Sequence, residues 1–530
     1  MKYAADNLPD DIEQLKNIVL YSQRMMVRLE QTNTRLEQQN AKLIEQLLLK
    51  RHSLFGTSSE KSPGQGELFN EAEHLAESVA ETDSASDVVI APESIGAAAT
   101  AKKRTQGGRK PLPAELPRRE IIHTLPADAL ICVCGCQKRV IGEDISEQLD
   151  IIPLQIYVIR HVRPRYACAC GASSPVTAVL PAQPIPKSNA APGLLAMLLT
   201  TKYVDGIPLH RFEKVLQRHG VDIPRQTLAR WVIQGSELLQ SLVNLMRDQL
   251  WAHDVLHCDE TVVQVLKEPD KSAQSQSYMW VQTGGPPERP VVLFDYDPSR
   301  SGRVATRLLD GFSGYMMSDG YDGYNAAARS ASVNHLACWT HARRRFIEAQ
   351  RVQPKGKTGK ADVGVNYIAK LYAIEKLLKD CSQEIRTTTR QEKSRAVLSE
   401  LRAWLDKSLA GVPPQSKLGD ALRYLDKYWS RLVRYTERGD LPLDNNRAEN
   451  AIRPFVIGRK NWLFADTPKG ASASAVIYSL VETAKANGHE PYAYLRHVLS
   501  ALPKANSVED VEQLLPWHLN AAELMENALR

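Results

Sequence analysis

At 530 residues the chain is too long for a single hydrophobic core, and about two to four structural units are expected. Its composition is typical of a soluble intracellular protein, with 43% hydrophobic and 24% charged residues, and the formal net charge of +6 permits nucleic-acid binding. No apolar run approaches the roughly 18 residues of a membrane span. No charged-then-apolar leader opens the chain, so neither membrane insertion nor export is expected.

Residues 8–50 carry a seven-residue apolar repeat, which predicts a coiled coil of about six heptads. The a positions are Ile12, Val19, Met26, Asn33, Asn40 and Leu47, and the d positions are Leu8, Leu15, Ser22, Leu29, Leu36 and Leu43. Asparagine at a positions fixes the register and favours two strands, so a parallel homodimer is the preferred interpretation, with a higher oligomer also open. The alternative is one amphipathic helix packed on its own domain.

The segment over residues 56–119 is predicted to be a flexible linker. Residues 60–100 contain nine acidic residues and one lysine, with few aromatics and no sustained periodicity, a composition typical of unfolded segments. A basic stretch with prolines follows at 102–119.

Five of the eight cysteines fall in two clusters within residues 120–180, where short strands with cysteines at their turns are predicted. In a reducing cytosol such clusters indicate metal binding before disulfides. Two turns that each present thiolates suit tetrahedral Zn²⁺, although both spacings are tighter than the usual C-x₂-C; a few buried thiols are the alternative. Four of these five residues would bind the zinc: Cys132, Cys134, Cys136, Cys168 and Cys170.

Residues 190–250 are predicted to be helical, with a helix-turn-helix over 208–231. A glycine-containing turn at Gly220 joins the two helices, and Pro224 suits the start of the second. Side chains near the start of that helix could reach base edges or phosphates, although a generic helical hairpin has the same pattern. These predicted DNA-binding residues are Arg225, Gln226 and Arg230.

Residues 251–345 change to a strand-rich pattern of three strands, a helix, a strand, a helix and a strand. This order is expected of a ribonuclease H-like α/β core. Asp259 lies within the first strand and Asp319 at the end of the fourth, where that topology places them side by side. The two carboxylates would repel one another unless they coordinate a hard cation such as Mg²⁺.

A third acid is expected from a later helix, and Glu449 supplies it. Asn445 or Asn446 would cap that helix, and Pro454 would limit its extension. Nearby arginines that could face DNA phosphates are Arg447 and Arg453. The nearest competing acids are Glu260, Asp322 and Asp444.

The remaining segments complete a multidomain α+β organisation. Residues 346–440 are predicted to be a helical insertion into the core, and residues 441–487 contain the glutamate helix and the rest of the core. A C-terminal helical tail is expected over residues 488–530.

Several motifs in this order resemble the large transposase of the insertion-sequence family sixty-six, a group of DDE transposases, and the resemblance runs nearly end to end. They include Phe55-Gly56, Lys202-Tyr203, Asp259-Glu260-Thr261, Asp319-Gly320-Tyr321, Cys338-Trp339, His341-Ala342-Arg343-Arg344, Asp444-Asn445-Asn446 with Glu449, and Gly458-Arg459-Lys460-Asn461-Trp462. The resemblance implies that Asp259, Asp319 and Glu449 form the catalytic triad. Basic residues of these motifs are also predicted to contact DNA: Arg343, Arg344, Arg459 and Lys460.

The predicted activity is therefore DNA cleavage and strand transfer with two Mg²⁺ or Mn²⁺ ions in each active site. Double-stranded DNA, as element ends and as target, is the expected partner, in the bacterial cytoplasm at the nucleoid. The resemblance also implies accessory proteins of the same element. Two alternatives are a nuclease of the same fold that does not join strands, and a DNA-binding repressor with an inactive core.

Overall fold

The computed structural model describes residues 11–55, 155–163, 165–166, 176–177, 179–329, 332–353 and 358–529. The predicted linker over 56–119 and the two cysteine clusters lie outside the described residues. Two compact units divide the chain, Met1–Ser86 with Arg163–Arg530, and Asp87–Val162; of the second unit, only residues 155–162 are described.

A single helix, α1 (Ile12–Phe55), covers most of the predicted heptads. Its sequence contains neither glycine nor proline and is rich in Leu, Glu, Gln and Lys, which favour helix. The heptad side chains are largely open to solvent in the single chain, as the exposed fractions of Val19 (53%), Leu29 (61%) and Leu36 (50%) illustrate. One polar contact of α1 is the Glu45 carboxylate, which accepts the backbone N–H of Lys417 at 2.7 Å.

A short antiparallel pair, β1 (Arg165–Tyr166) and β2 (Val176–Thr177), precedes three helices. These are α2 (Pro192–Tyr203), α3 (Leu209–Arg218) and α4 (Arg225–Trp251). Proline marks the start of each of these helices, because Pro192 is the first residue of α2, and Pro208 and Pro224 are the N-cap residues of α3 and α4. Gly220, at φ +77°, provides the left-handed residue that turns the chain between α3 and α4.

One mixed sheet of five strands forms the centre of the protein, in the order β5-β4-β3-β6-β7. The first three strands along the chain are antiparallel neighbours, and the last two run parallel to β3. The strands are β3 (Val255–Gln264), β4 (Gln276–Gly284), β5 (Val291–Asp297), β6 (Gly314–Ser318) and β7 (Val333–Ala337). Short helices precede β6 and β7, namely α5 (Gly302–Leu308) and α6 (Tyr324–Ala327).

Helices follow the sheet to the end of the described chain. They are α7 (Trp339–Arg351), α8 (Lys360–Leu377), α9 (Gln383–Thr389), α10 (Arg395–Leu409), α11 (Lys417–Val433), α12 (Asn446–Trp462), α13 (Pro468–Ala486), α14 (Pro491–Ala501), α15 (Val508–Glu512) and α16 (Ala521–Leu529). A π-helical segment, Arg390–Ser394, joins α9 to α10. The domain boundary expected at residue 345 falls inside α7, because that helix continues without a break to Arg351.

Helix α13 covers the edge strand β5. Its Ser479 hydroxyl accepts the backbone N–H of Phe294 (2.8 Å), and its Thr483 hydroxyl accepts that of Val292 (3.0 Å). Because an uncovered sheet edge invites pairing with another chain, these bonds both anchor the helix and occupy the edge. Among the helices that the structure describes, none combines the length and the apolar composition required to span a bilayer.

Candidate active site

The register of the parallel strands brings Asp259 and Asp319 together. In the ladder between β3 and β6, Leu256 pairs with Met316 and His257 with Met317, an offset of 60 residues. Continuing the same offset by two residues places Asp259 opposite Asp319, which directly follows β6. Two acids 60 residues apart in the sequence thus meet where β6 ends beside the middle of β3.

Helix α12 brings Glu449 to the same place. Its side chain is buried, and Glu449 lies in the first turn of the helix, which packs against β3 and β4. The expectation that Pro454 limits this helix is wrong, because α12 continues through it to Trp462. Pro454 cannot donate to the carbonyl four residues before it, but that residue, Asn450, is exposed, where water can satisfy the carbonyl.

The expected cap, Asn445 or Asn446, is formed by neither side chain: Asn445 occupies the N-cap position of α12 without a side-chain cap bond, and Asn446 is the first helical residue. Instead Nδ2 of Asn445 donates to the carbonyl of Cys258 (2.9 Å), and its Oδ1 accepts from His257 Nδ1 (3.2 Å). Its backbone N–H donates to the sulfur of Cys338 (3.2 Å). The capping role falls to Asp444, whose Oδ1 accepts the N–H of Asn446. Asn445 therefore ties the helix of Glu449 to the strand of Asp259.

The three acids lie close together in a partly buried site, where neighbouring negative charges disfavour ionisation of Asp259 and Glu449. Burial, followed by the negative charges of Glu260, Asp319 and Glu449, raises the pKa of Asp259 well above its usual range. Burial is also the main reason why the pKa of Glu449 rises to about 7, with Arg344 acting in the opposite direction. One Glu449 oxygen, Oε1, is buried and has no hydrogen-bond partner among the described residues. Oxygen ligands of this kind fit a hard divalent cation, which would relieve the repulsion.

Three potential ligand atoms, from Cys338, His341 and Glu449, lie within 4.8 Å of one another. The Nδ1 atom of His341 is 3.6 Å from Oε1 of Glu449. Burial lowers the pKa of His341 to about 4, and Arg344 acts in the same direction while Asp319 opposes it. The imidazole is therefore neutral at physiological pH.

The three competing acids have other partners. Glu260 accepts from Arg300 (2.6 and 2.8 Å) and from the Tyr324 hydroxyl (2.7 Å). Asp322, on the surface, forms an ion pair with Lys427 at 2.9 Å. Asp444 accepts the Tyr372 hydroxyl at 3.0 Å and caps α12, as described above. Each of the three competing acids thus accepts hydrogen bonds from other groups of the protein.

Helix α11, part of the expected helical insertion, holds the loop of Asp319. The hydroxyl of Tyr424 donates to the carbonyl of Asp319 (3.0 Å), and that of Tyr428 donates to the carbonyl of Gly320 (2.6 Å). Gly320 has φ +91°, and a Cβ there would lie 3.2 Å from the Tyr424 oxygen. A glycine is therefore required where the chain leaves β6 beneath the two tyrosines. These tyrosines give the insertion a positioning role that the sequence pattern did not reveal.

The predicted DNA-binding residues occupy three kinds of environment. Those at the start of α4 are exposed, as is Lys460 in the last turn of α12. Three others are partly exposed and border the acids or continue α12: Arg344, Arg453 and Arg459. Arg459 lies beside the acid-bearing strand, with one guanidinium nitrogen 3.3 Å from the Thr261 hydroxyl.

The last two predicted DNA-binding residues are the buried Arg343 and the exposed Arg447, and both contact other parts of the protein. Arg343 is buried, since it shares the inward face of α7 with Trp339, Ala342 and Phe346. The guanidinium of Arg447 donates to the carbonyls of Gly284 and Gly285 at the end of β4. The helical periodicity of α7 explains the burial of Arg343, because its apolar neighbours fix which residues point inward.

The partly buried Asp259 and Asp319 lie together on adjacent strands of a mixed sheet, and with the buried Glu449 they define an α/β protein with a candidate metal site. A family model described as Transposase IS66 family matches residues 187–473, more than half of the chain, and an IS66 C-terminal element matches 479–517. The chain belongs to the IS66 transposase family. Two further models match the N-terminal part, the zinc-finger binding domain of transposase IS66 (130–171) and Transposase C of IS166 homeodomain (42–121). The latter covers the segment predicted to be a linker.

Similar proteins occur in Sinorhizobium fredii. The uncharacterized protein y4qI is 31% identical over 436 residues, which cover 80% of this chain and 79% of the relative. The uncharacterized protein y4hP is 29% identical over 490 residues, covering 89% and 87%. The similarity thus covers about four fifths or more of this chain and of each relative.

Proposed function

We propose that this protein is a DDE transposase that cleaves the ends of its own insertion sequence and joins them to target DNA. The observation that carries the proposal is the convergence of Asp259, Asp319 and Glu449 from three distant segments inside the region of the family match. The strand order of the sheet, three antiparallel strands followed by two parallel ones, supports a ribonuclease H-like core.

In this proposal Asp259, Asp319 and Glu449 hold two Mg²⁺ or Mn²⁺ ions. Such ions, when bound, supply Lewis acidity toward the phosphate and lower the pKa of bound water. The chain itself fixes the carboxylates: Asn445 links α12 to β3, and the α11 tyrosines hold the Asp319 loop. Arg344 and Arg459 border the acids and would orient the DNA phosphate.

Other parts of the chain would bind and align double-stranded DNA. The exposed Arg225, Gln226 and Arg230 at the start of α4 are placed to reach a groove or phosphates. Because the substrate is DNA, the site of action would be the bacterial cytoplasm, at the nucleoid. Accessory proteins of the same element would complete the machinery.

We further propose that α1 pairs two transposase chains so that both element ends are held together. The exposed apolar heptad positions support this, because they would be buried in a two-stranded coiled coil. Deleting residues 1–55 should convert a dimer into a monomer in light-scattering measurements. Replacing Ser22 by Leu, which strengthens one d position, should instead preserve the dimer and raise its thermal stability. A deletion variant with the mass of the full-length oligomer would contradict the proposal.

The family match over 130–171 supports a structural zinc site, and we propose that four of the five clustered cysteines bind one Zn²⁺. Full-length protein should contain about one zinc per chain by elemental analysis. Cys134→Ser or Cys168→Ser should lower that content, whereas Cys381→Ser, a free cysteine outside both clusters, should not change it. Folded wild-type protein without zinc would refute this assignment.

The function is tested with purified protein, a linear duplex that carries the element's terminal repeats, and a target plasmid. With Mg²⁺ we expect cleavage at the repeat ends and covalent joining of the 3′ ends to the plasmid, and with a chelator neither product. Metal-dependent cutting without joined products would instead identify a nuclease. Binding to the repeats without any cutting would identify a repressor.

A further inference from the structure

A gap separates the side chains of His341 and Glu449. Nδ1 of His341 and Oε1 of Glu449 are 3.6 Å apart, beyond the roughly 2.7–3.2 Å of a hydrogen bond to nitrogen. Both atoms are buried and neither has a hydrogen-bond partner among the described residues. Buried polar atoms are almost always satisfied in native proteins, so a third partner belongs between these two.

Arg344 lies beside the other ring nitrogen of His341 and the other carboxylate oxygen of Glu449. Its guanidinium lies 3.5 Å from Nε2 of His341 and 3.9 Å from Oε2 of Glu449, the two atoms that are not part of the gap. The inner atoms, Nδ1 and Oε1, therefore face one another. The contact to Nε2 is long and does not fix which ring nitrogen carries the proton. Asp319 also lies close enough for its charge to act on His341.

The dimensions of the gap suit a bound cation. Nitrogen and oxygen ligands lie about 2.1 Å from a small divalent ion, so one ion can reach two such atoms that are 3.6 Å apart. Imidazole is a ligand of transition ions, whereas Mg²⁺ prefers oxygen. The sulfur of Cys338, although near, already accepts the backbone N–H of Asn445 and so anchors α12.

We propose that His341, through Nδ1, is a ligand to one of the ions held by the acidic triad, and that it favours transition ions such as Mn²⁺ over Mg²⁺ at that position. The inference rests on the proposed function because it shares Glu449 with the triad. His341 would add a nitrogen ligand to a site otherwise made of carboxylates. Coordination by nitrogen can be measured without any catalytic turnover.

The test is electron spin-echo spectroscopy of Mn²⁺ bound to the full-length protein in the absence of DNA. The wild-type protein should show nitrogen modulation from a coordinated imidazole. His341→Gln should lose this modulation and bind Mn²⁺ at least ~10-fold more weakly, with a smaller effect on Mg²⁺ affinity. His518→Gln, which replaces an exposed histidine, should keep the modulation. Nitrogen modulation that is missing in the wild type, or retained in His341→Gln, would overturn the proposal.

A second pair of measurements separates this inference from the proposed function. Asp259→Asn should weaken Mn²⁺ binding whether or not His341 is a ligand. If Asp259→Asn weakens binding and His341→Gln does not, only the role of His341 fails. If neither variant changes Mn²⁺ binding, the triad is not a metal site and both proposals fail. Should His341→Gln fold poorly, as judged by thermal unfolding, His341→Asn provides the same readout with a smaller side chain.

Discussion

Asp259→Asn, Asp319→Asn and Glu449→Gln should each abolish DNA cleavage while binding to the element ends stays intact. The amide keeps the size and much of the hydrogen bonding of the carboxyl group but removes the charge that recruits a divalent ion. The exposed basic residues at the start of α4 are unaffected by these changes. Cleavage is measured on labelled duplex ends with Mg²⁺, and binding by gel shift without it.

Asp322→Asn and Asp444→Asn are the controls for these variants. Asp322 is paired with Lys427 on the surface, so its loss should leave cleavage within a few-fold of wild type. Asp444 caps α12, and an asparagine can still accept the N–H of Asn446. A control as inactive as the triad variants would show that the residue assignment is wrong. If Glu449→Gln cleaved DNA at the wild-type rate, the assignment of the catalytic triad would be wrong.

The same Asp259→Asn variant should be at least as stable as wild type when divalent ions are absent. Burial and three neighbouring acids raise the pKa of Asp259, so the ionised form opposes folding at pH values above the ordinary pKa of an aspartate. Asparagine removes that cost. Thermal unfolding at neutral pH with a chelator measures the effect, and adding Mg²⁺ should then raise the melting temperature of wild type only.

Asn445→Leu should destabilise the protein by about 2–4 kcal/mol and lower cleavage severely. Leucine fills a similar volume but leaves two buried groups without partners, the carbonyl of Cys258 and Nδ1 of His257. It also loosens the link between the Glu449 helix and the Asp259 strand, so the acids lose their alignment. Denaturant unfolding measures the first effect and the duplex cleavage assay the second.

Asn450→Leu is the matched control, since Asn450 lies on the same helix but is exposed. Its free energy of unfolding should stay within about 0.5 kcal/mol of wild type. If Asn445→Leu changes the free energy of unfolding as little as Asn450→Leu does, the buried hydrogen bonds of Asn445 do not hold the site together.

Local patterns predicted where the strands lie and which of them carry the acids. Asp259 lies within a run that the sequence predicts to be a strand, and Asp319 follows a short apolar run, so both positions are visible in the sequence. Their closeness depends on strand register, which a fold hypothesis supplies. The sequence predicts Glu449 as the third acid because an asparagine-rich turn precedes a helix that carries an acid in its first turn.

Long-range contacts account for what local patterns missed. Asn445 resembles an ordinary helix cap, and only the packing of α12 on β3 reveals its bonds to residues almost two hundred positions away. Tyr424 and Tyr428 occupy successive turns of α11, a spacing that signals one face but not what that face touches. The burial of Arg343 was predictable in principle, because apolar residues at helical spacing surround it on α7.

We propose that three segments distant in sequence surround one divalent metal site. Replacing Mg²⁺ by Fe²⁺ and adding ascorbate generates hydroxyl radicals at the ion, which cut the nearby backbone of the full-length protein. We expect three sets of fragments, with ends close to Asp259, Asp319 and Glu449, and competition by excess Mg²⁺ should suppress all three together. Cuts confined to other segments, or cuts at these positions that persist in Asp259→Asn, would contradict it.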